Sequence, residues 1–107
     1  MSQKIKDPPS SSDTDADAIR LDLWLYYTRL VKSRNLAARM IEKGKIRLTR
    51  HGQTERIRKT HKLIRSGDEI SLMRAGHFIQ VLMLKPGMRR GPAIEAQTLY
   101  ETISNED

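Results

Sequence analysis

The stretch KSRNLAARMIEKGKI, residues 32–46, is the most informative part of this sequence for predicting the fold. Ser33 is suited to cap a helix, because its hydroxyl oxygen can accept a hydrogen bond from a free backbone N–H of the first turn. Gly44 is suited to end that helix, because glycine enters the left-handed conformation at little cost. We therefore predict a short helix from Arg34 to Lys43, with its cations largely outside the apolar stripe.

A second helical pattern precedes this stretch. The spacing of one helix face is followed by Leu21, Trp24, Leu25 and Thr28. The pattern predicts a helix that begins at Asp17 or Ala18 and ends at Lys32. Trp24 lies on the apolar stripe, so we predict that it packs in the core. Tyr26 lies off the stripe and is the better candidate for stacking on a base.

After Gly44 the hydrophobic period changes to two, which is typical of half-buried strands. The pattern predicts a strand from Ile46, a hairpin turn at residues 50–53, a strand at 69–73 and a central, strongly apolar strand at 78–84. A last helix is predicted to begin at Pro92, which suits a first turn. Its predicted apolar face continues through Leu99 and Tyr100 to Ile103.

Positive charge is concentrated in one block of the chain. The 107 residues carry a net charge of +7, and residues 19–65 alone carry fourteen Lys or Arg against three acidic residues. A surface that serves only solubility usually mixes charges of both signs. The block therefore predicts a site that steers and binds a polyanion, and nucleic acid is the favoured one.

The residues give no pattern for a catalytic or metal site. There is no cysteine, which excludes disulfides and thiolate metal sites. The spacing of a helical metal site is not found among His51, His61 and His77. Asp22 lies among cations, and we predict that it holds Arg20, Arg29 or a backbone N–H in place. We therefore expect no enzyme and no cofactor.

Residues 1–18 are predicted to be a disordered tail, because proline, serine and aspartate dominate them. They lack the apolar core of a signal peptide, and no apolar run in the chain is long enough to cross a bilayer. Together with the absence of cysteine, this predicts a cytoplasmic protein that does not bind membranes. No large apolar surface is evident in the pattern, so we expect a monomer.

One larger set of residues carries a resemblance. It consists of Arg20-Leu21-Asp22, Trp24-Leu25, Arg29, Lys32-Ser33-Arg34, Ala37, Ile41, Gly44-Lys45-Ile46 and Gly67-Asp68-Glu69-Ile70. In order and spacing this set resembles the S-four RNA-binding domain, or alpha-L motif, over residues 19–73. The resemblance implies an α+β fold in which two helices pack on a small antiparallel sheet. Residues 74–107 are then expected to be a strand and a C-terminal helix that pack on the same domain.

The C-terminal motif resembles one branch of that domain. It consists of Arg89-Arg90-Gly91-Pro92-Ala93, Glu95-Ala96 and Leu99-Tyr100-Glu101. This branch is the fifteen-kilodalton ribosome-associated heat-shock protein family, whose domain stands alone. The resemblance implies a non-enzymatic binder of ribosomal RNA and the large ribosomal subunit. It further implies that this subunit still carries a nascent chain on tRNA. The implied role is in translation quality control or the heat-stress response.

The resemblance also implies which residues contact RNA. They are Arg20, Lys32, Ser33, Arg34, Arg39, Lys43, Lys45 and Lys59. The family usually has an Asn-Gly hairpin and a Lys-Pro-Ser stretch where this chain has His51-Gly52 and Lys59-Thr60-His61. The connection between them is longer here. The added cations of this region are predicted to widen the RNA surface: Arg56, Arg58, Lys62 and Arg65.

Two other functions stay open from the residues. Phosphate contacts alone do not separate RNA from DNA, so a general DNA-binding protein is one alternative. The other is a detached RNA-binding module of an RNA-modifying enzyme. Competition between ribosomal RNA and duplex DNA discriminates the first, and co-purification of a catalytic chain supports the second.

Overall fold

The structure, a computed structural model, describes residues 18–106 and begins with a short strand rather than a helix. Strand β1, Ile19–Arg20, pairs antiparallel with β4, Leu63–Ile64. This pairing holds β1 in an extended conformation, so the helix predicted to begin at position 17 or 18 begins later. The predicted tail lies outside the described residues except for Ala18.

Two helices follow, and both contribute to the core. Helix α1 spans Leu21–Tyr27 and helix α2 spans Arg34–Glu42. The prediction that the first helix continues to Lys32 is wrong, because the chain leaves the helical conformation at Arg29, where φ is 64°. Helix α2 ends one residue before its predicted end.

Five strands form one antiparallel sheet, in the order β3-β2-β5-β6-β7. They are β2 Ile46–Arg50, β3 Gln53–Ile57, β5 Glu69–Arg74, β6 His77–Met83 and β7 Tyr100–Glu106. The predicted hairpin joins β2 to β3 through His51 and Gly52, whose φ angles of 54° and 78° are those of a tight two-residue turn. The strand predicted to be central is β6. It has a neighbour on each side, but the middle strand of the five is β5.

The C-terminal region contains much less helix than the sequence predicts. Helix α3 is Ala93–Ala96, a 3₁₀ turn covers Gln97–Leu99, and Tyr100 begins β7. The apolar residues from Leu99 to Ile103 satisfy helical spacing, but tyrosine, threonine and isoleucine also favour strands. The segment forms a strand rather than a helix because its backbone N–H and C=O groups pair with those at the edge of β6.

One hydrophobic cluster joins α1 and α2 to the inward residues of the sheet. Trp24 lies at its centre with no exposed surface, which confirms that this ring packs in the core. The Trp24 Nε1–H donates to the carbonyl oxygen of Lys85 at 2.9 Å, so α1 is tied to the segment after β6. Residues 18–106 contain three α-helices and antiparallel strands, which confirms the predicted α+β fold class.

Candidate nucleic-acid interface

Helix α2 has the capping serine and the terminating glycine that the sequence predicts. Ser33 is extended, with φ −143°, and its Oγ accepts a hydrogen bond from the backbone N–H of Leu36 at 3.1 Å. Gly44 has φ +73°, and its N–H donates to the carbonyl oxygen of Ile41 at 2.9 Å. Ala37 and Ile41 are buried, so this side of the helix faces the core and the opposite side faces solvent.

Four predicted RNA contacts lie exposed on or beside α2. They are Lys32, Arg39, Lys43 and Lys45. Arg39 and Lys43 are one helical turn apart and are therefore neighbours on the helix surface. Within residues 18–106, none of the four forms an ion pair. Their charges are not neutralised by the part of the chain that the structure describes, which suits them to bind phosphate.

Two further predicted contacts are held by a buried carboxylate. Asp22 is 3% exposed, and it accepts hydrogen bonds from Arg20 Nε at 3.1 Å, Arg20 Nη2 at 2.9 Å and Arg34 Nε at 3.5 Å. The predicted structural role of Asp22 is confirmed for Arg20. Arg34 takes the place predicted for Arg29, whose Nε instead donates to the carbonyl oxygen of Gly91. A guanidinium has five N–H donors, so Arg20 and Arg34 retain donors for a ligand.

The loop that carries Lys59 is attached to the start of α1. Lys59 is exposed, and its carbonyl oxygen accepts a hydrogen bond from the N–H of Lys62 at 3.1 Å. The N–H of Leu21 donates to the Lys62 carbonyl oxygen at 2.9 Å, and that of Asp22 to the Thr60 carbonyl oxygen at 3.5 Å. These backbone bonds hold the loop that carries Lys59 beside the start of α1.

The β2–β3 hairpin adds exposed arginines, of which Arg47 was missed by reasoning from the sequence. Arg47 lies directly opposite Arg56 across the two strands, and both are exposed. A Cβ placed on Gly44 would lie 2.8 Å from Cδ of Arg56 and 3.0 Å from Cζ of Arg58, so both arginines cross the C-terminal end of α2. The signal that could have identified Arg47 is the alternation along β2, in which Ile46 points inward and Arg47 points outward.

We call these exposed side chains the α2 cationic surface. Its members are Lys32, Arg39, Lys43, Lys45, Arg47, Arg56 and Arg58. Like charges directly opposite each other on two strands destabilise a sheet. The Arg47–Arg56 pair therefore costs stability unless an anion lies between the two guanidinium groups.

Other cations of the basic block have structural partners. Arg50 donates from Nε and Nη2 to the two carboxylate oxygens of buried Asp68 at 2.9 and 2.6 Å. The hydrogen bond to Asp68 raises the pKa of the Arg50 guanidinium above its ordinary value. Lys62 Nζ lies 4.0 Å from Oε2 of Glu55. Lys62 and Arg65, both predicted to widen the RNA surface, are only partly exposed.

Tyr26, the candidate for base stacking, has one face of its ring covered. Cζ of Arg90 lies 4.5 Å from the ring centroid, a cation–π contact. The Arg90 Nη1 also donates to the carbonyl oxygens of Tyr26 at 2.7 Å and Val31 at 3.2 Å. A base could stack on this face only if Arg90 moved away.

Gly44→Ala should weaken RNA binding as well as the fold. A side chain at φ +73° is expected to cost about 1–2 kcal/mol of unfolding free energy. The new methyl group also displaces Arg56 and Arg58, so we expect a loss of RNA affinity of a few-fold. Gly52→Ala is the matched control, because Gly52 has φ +78° but no atom within 4 Å of its Cβ position. Urea unfolding and RNA titration of both variants test this, and equal affinities would contradict it.

The described part of the chain contains no group of three or more His, Cys, Asp or Glu that could hold a metal ion. None of the helices within residues 18–106 has the length and apolar character needed to span a membrane. In this part of the molecule, then, the exposed cations are the chemical feature from which we infer function.

Comparisons with known proteins agree with this geometry. The family model described as S4 domain matches residues 19–48. A heat shock protein 15 homolog from Haemophilus influenzae is 32% identical over 83 residues, which are 78% of this chain and 60% of that protein. Heat shock protein 15 from Escherichia coli K12 is 35% identical over 83 residues, 78% of this chain and 59% of that protein. The chain thus spans about three-fifths of the length of these curated relatives.

One solved structure is similar over most of both chains. It is a trimeric structure of Vibrio cholerae heat shock protein 15, with a TM-score of 0.71 and 33% sequence identity. The match covers 81% of this chain and 83% of that chain. The likeness therefore extends beyond the residues that the family model matches.

Proposed function

Because this chain belongs to the heat shock protein 15 family of S4-domain RNA-binding proteins, we propose that it binds structured RNA of the large ribosomal subunit without catalysing a reaction. The observation that carries the proposal is the α2 cationic surface. The four of its members that lie on or beside the helix form no ion pair within residues 18–106: Lys32, Arg39, Lys43 and Lys45. Double-stranded RNA is bound mostly through its shape, its phosphates and its 2′-hydroxyls. A rigid helix edged with cations suits that kind of recognition.

Each residue of the proposed site has its own role. Arg39 can fork onto two phosphate oxygens, whereas Lys32, Lys43 and Lys45 act as point charges. Ser33 caps α2, and the positive end of the helix dipole lies beside it, where it favours an anion. The remaining contacts come from Arg20 and Arg34, which Asp22 orients, and from Lys59.

We further infer the state of the ribosome and the setting. The proposed target is a large subunit that still carries a nascent chain on tRNA, and the proposed role is translation quality control in the cytoplasm during heat stress. Family membership supports these finer points. For the free protein we expect a monomer, and the trimeric Vibrio cholerae relative supplies the competing expectation. Light scattering of the purified full chain decides between them.

Sedimentation of cell lysate through sucrose gradients, before and after heat shock, tests the proposed function. We expect the protein to run with free large subunits and to leave them at high salt, because phosphate contacts release counterions. A control titration compares ribosomal RNA with duplex DNA of equal length at one salt concentration. Migration at the top of the gradient under all conditions, or a preference for DNA, would contradict the proposal.

A further inference from the structure

A groove borders the α2 cationic surface and shares Lys32 with it. It has a volume of about 620 Å³ and lies between the α1–α2 loop, the β5–β6 turn and α3. Helix α2 contributes the partly buried side chains of Leu36 and Met40, and the end of β5 contributes Met73, which is 49% exposed. The groove therefore has an apolar lining beside the helix that carries Arg39 and Lys43.

Every charged side chain that lines the groove is positive. These side chains are Arg29, Lys32, Arg74 and Arg90. Two of them are held by carbonyl oxygens: Arg29 Nε donates to Gly91 at 2.6 Å, and Arg90 Nη1 donates to Tyr26 and Val31. A carbonyl group orients a guanidinium without cancelling its charge. The groove thus combines apolar surface with four cations.

Long-range contacts build this groove. Arg29 adopts φ 64°, a region that residues other than glycine rarely enter. Its bond to Gly91 and the contact of Arg90 with Tyr26 attach the C-terminal motif to the α1–α2 loop across more than sixty residues. None of the residues proposed to contact RNA belongs to the C-terminal motif. The proposed RNA site therefore does not account for the position of this motif beside the groove.

We propose that the groove receives one unpaired nucleotide of the RNA that the α2 cationic surface binds; this inference rests on the proposed function. The base lies against Leu36, Met40 and Met73, and its phosphates lie on the cations. A flat base joined to an anion needs both surfaces, whereas a small anion would leave most of the volume empty. Gln97, also in the lining, can donate to and accept from a base edge. Unpaired bases are the part of RNA that proteins read most directly.

Continuity with α2 favours RNA over an acidic protein segment as the occupant. Leu36 and Met40 of the groove lie on the same helix as Arg39 and Lys43, and Lys32 belongs to both surfaces. A nucleotide that leaves an RNA stem bound on α2 reaches the groove without a second docking event.

The test uses the full chain and two RNA hairpins of identical stem. One is fully paired, and the other has a single unpaired 2-aminopurine. We expect the second to bind about tenfold tighter, because its base is removed from water against the apolar lining, and we expect a change in 2-aminopurine fluorescence. Met73→Glu places a carboxylate in the groove and should remove that difference while leaving binding of the paired hairpin nearly unchanged. Met88→Glu is the matched control, because Met88 is 93% exposed and does not line the groove.

The outcomes separate the two proposals. If the wild-type chain binds neither hairpin, the proposed function fails and the groove inference fails with it. If it binds both hairpins equally, or if Met73→Glu and Met88→Glu keep the same preference, RNA binding stands and the groove inference is overturned.

Discussion

Reversing the charges of Arg39 and Lys43 together should lower the affinity for the proposed RNA ligand about 100-fold and leave the fold intact. Each reversal removes an attraction and adds a repulsion, and two unit charges 4 Å apart in water interact by about 1 kcal/mol. The two reversals together therefore amount to about 4 kcal/mol without salt. Screening by salt lowers this to about 3 kcal/mol, which corresponds to roughly 100-fold in affinity. Both side chains are exposed, and neither has an ion-pair partner within the described residues. Filter binding of Arg39→Glu/Lys43→Glu at several salt concentrations measures the effect.

The salt dependence gives this experiment a second readout. The logarithm of affinity should fall less steeply with the logarithm of salt, by about two units of slope, because two phosphate contacts are lost. Arg39→Lys/Lys43→Arg keeps the charges and should keep the slope, and Lys85→Glu reverses an exposed charge outside the α2 cationic surface. A folded Arg39→Glu/Lys43→Glu variant that binds like Lys85→Glu would remove α2 from the interface.

Arg34 is a poorer choice for this test, although the sequence predicts it as an RNA contact. Its Nε lies 3.5 Å from Oδ2 of Asp22, whose side chain is almost completely buried. A glutamate at position 34 would bring a second carboxylate toward Asp22, which has little access to water. Loss of binding could then come from damage to α1 and α2 rather than from a missing phosphate contact.

Local signals explain why α2 was predicted well. Ser33 and Gly44 act on backbone groups within a few residues of themselves, so their effects can be inferred from the chain alone. Four of the predicted contacts lie on or next to this one helix, so predicting the helix also predicts that they lie close together: Lys32, Arg39, Lys43 and Lys45. The Asp22 role was also local, because Arg20 is only two residues away.

Long-range pairing explains what the sequence did not predict. Ile19 pairs with Ile64, and this pairing sets the start of α1. Tyr100 pairs with Met83, and this pairing explains why a strand forms where the sequence predicts the end of the C-terminal helix. The bond from Arg29 to Gly91 crosses 62 residues, and no spacing rule indicates it. The groove depends on such contacts and was therefore invisible in the sequence.

Trp24→Ala should lower the free energy of unfolding by about 3–5 kcal/mol, the range for deleting a large buried ring. Trp24 has no exposed surface, so the variant leaves a cavity and the carbonyl oxygen of Lys85 loses its donor. Small domains are stable by only about 5–15 kcal/mol, so this loss is a large fraction of the total. Trp24→Phe keeps most of the packing and should cost about 1–3 kcal/mol, mainly from the lost hydrogen bond. Urea unfolding followed by circular dichroism measures both values.

The same residue tests whether RNA reaches the first helix and whether the chain unfolds as one unit. Trp24 is the only tryptophan, so its fluorescence reports on this position alone. We expect an emission that iodide does not quench and that RNA does not change, with Trp24→Phe binding RNA like the wild type.

Because the Trp24–Lys85 bond and the continuous sheet join residues 19–73 to the C-terminal segment, we also expect a single unfolding transition. Quenching by RNA would place Trp24 at the interface, and two transitions would mean that the C-terminal segment folds separately from the α2 cationic surface.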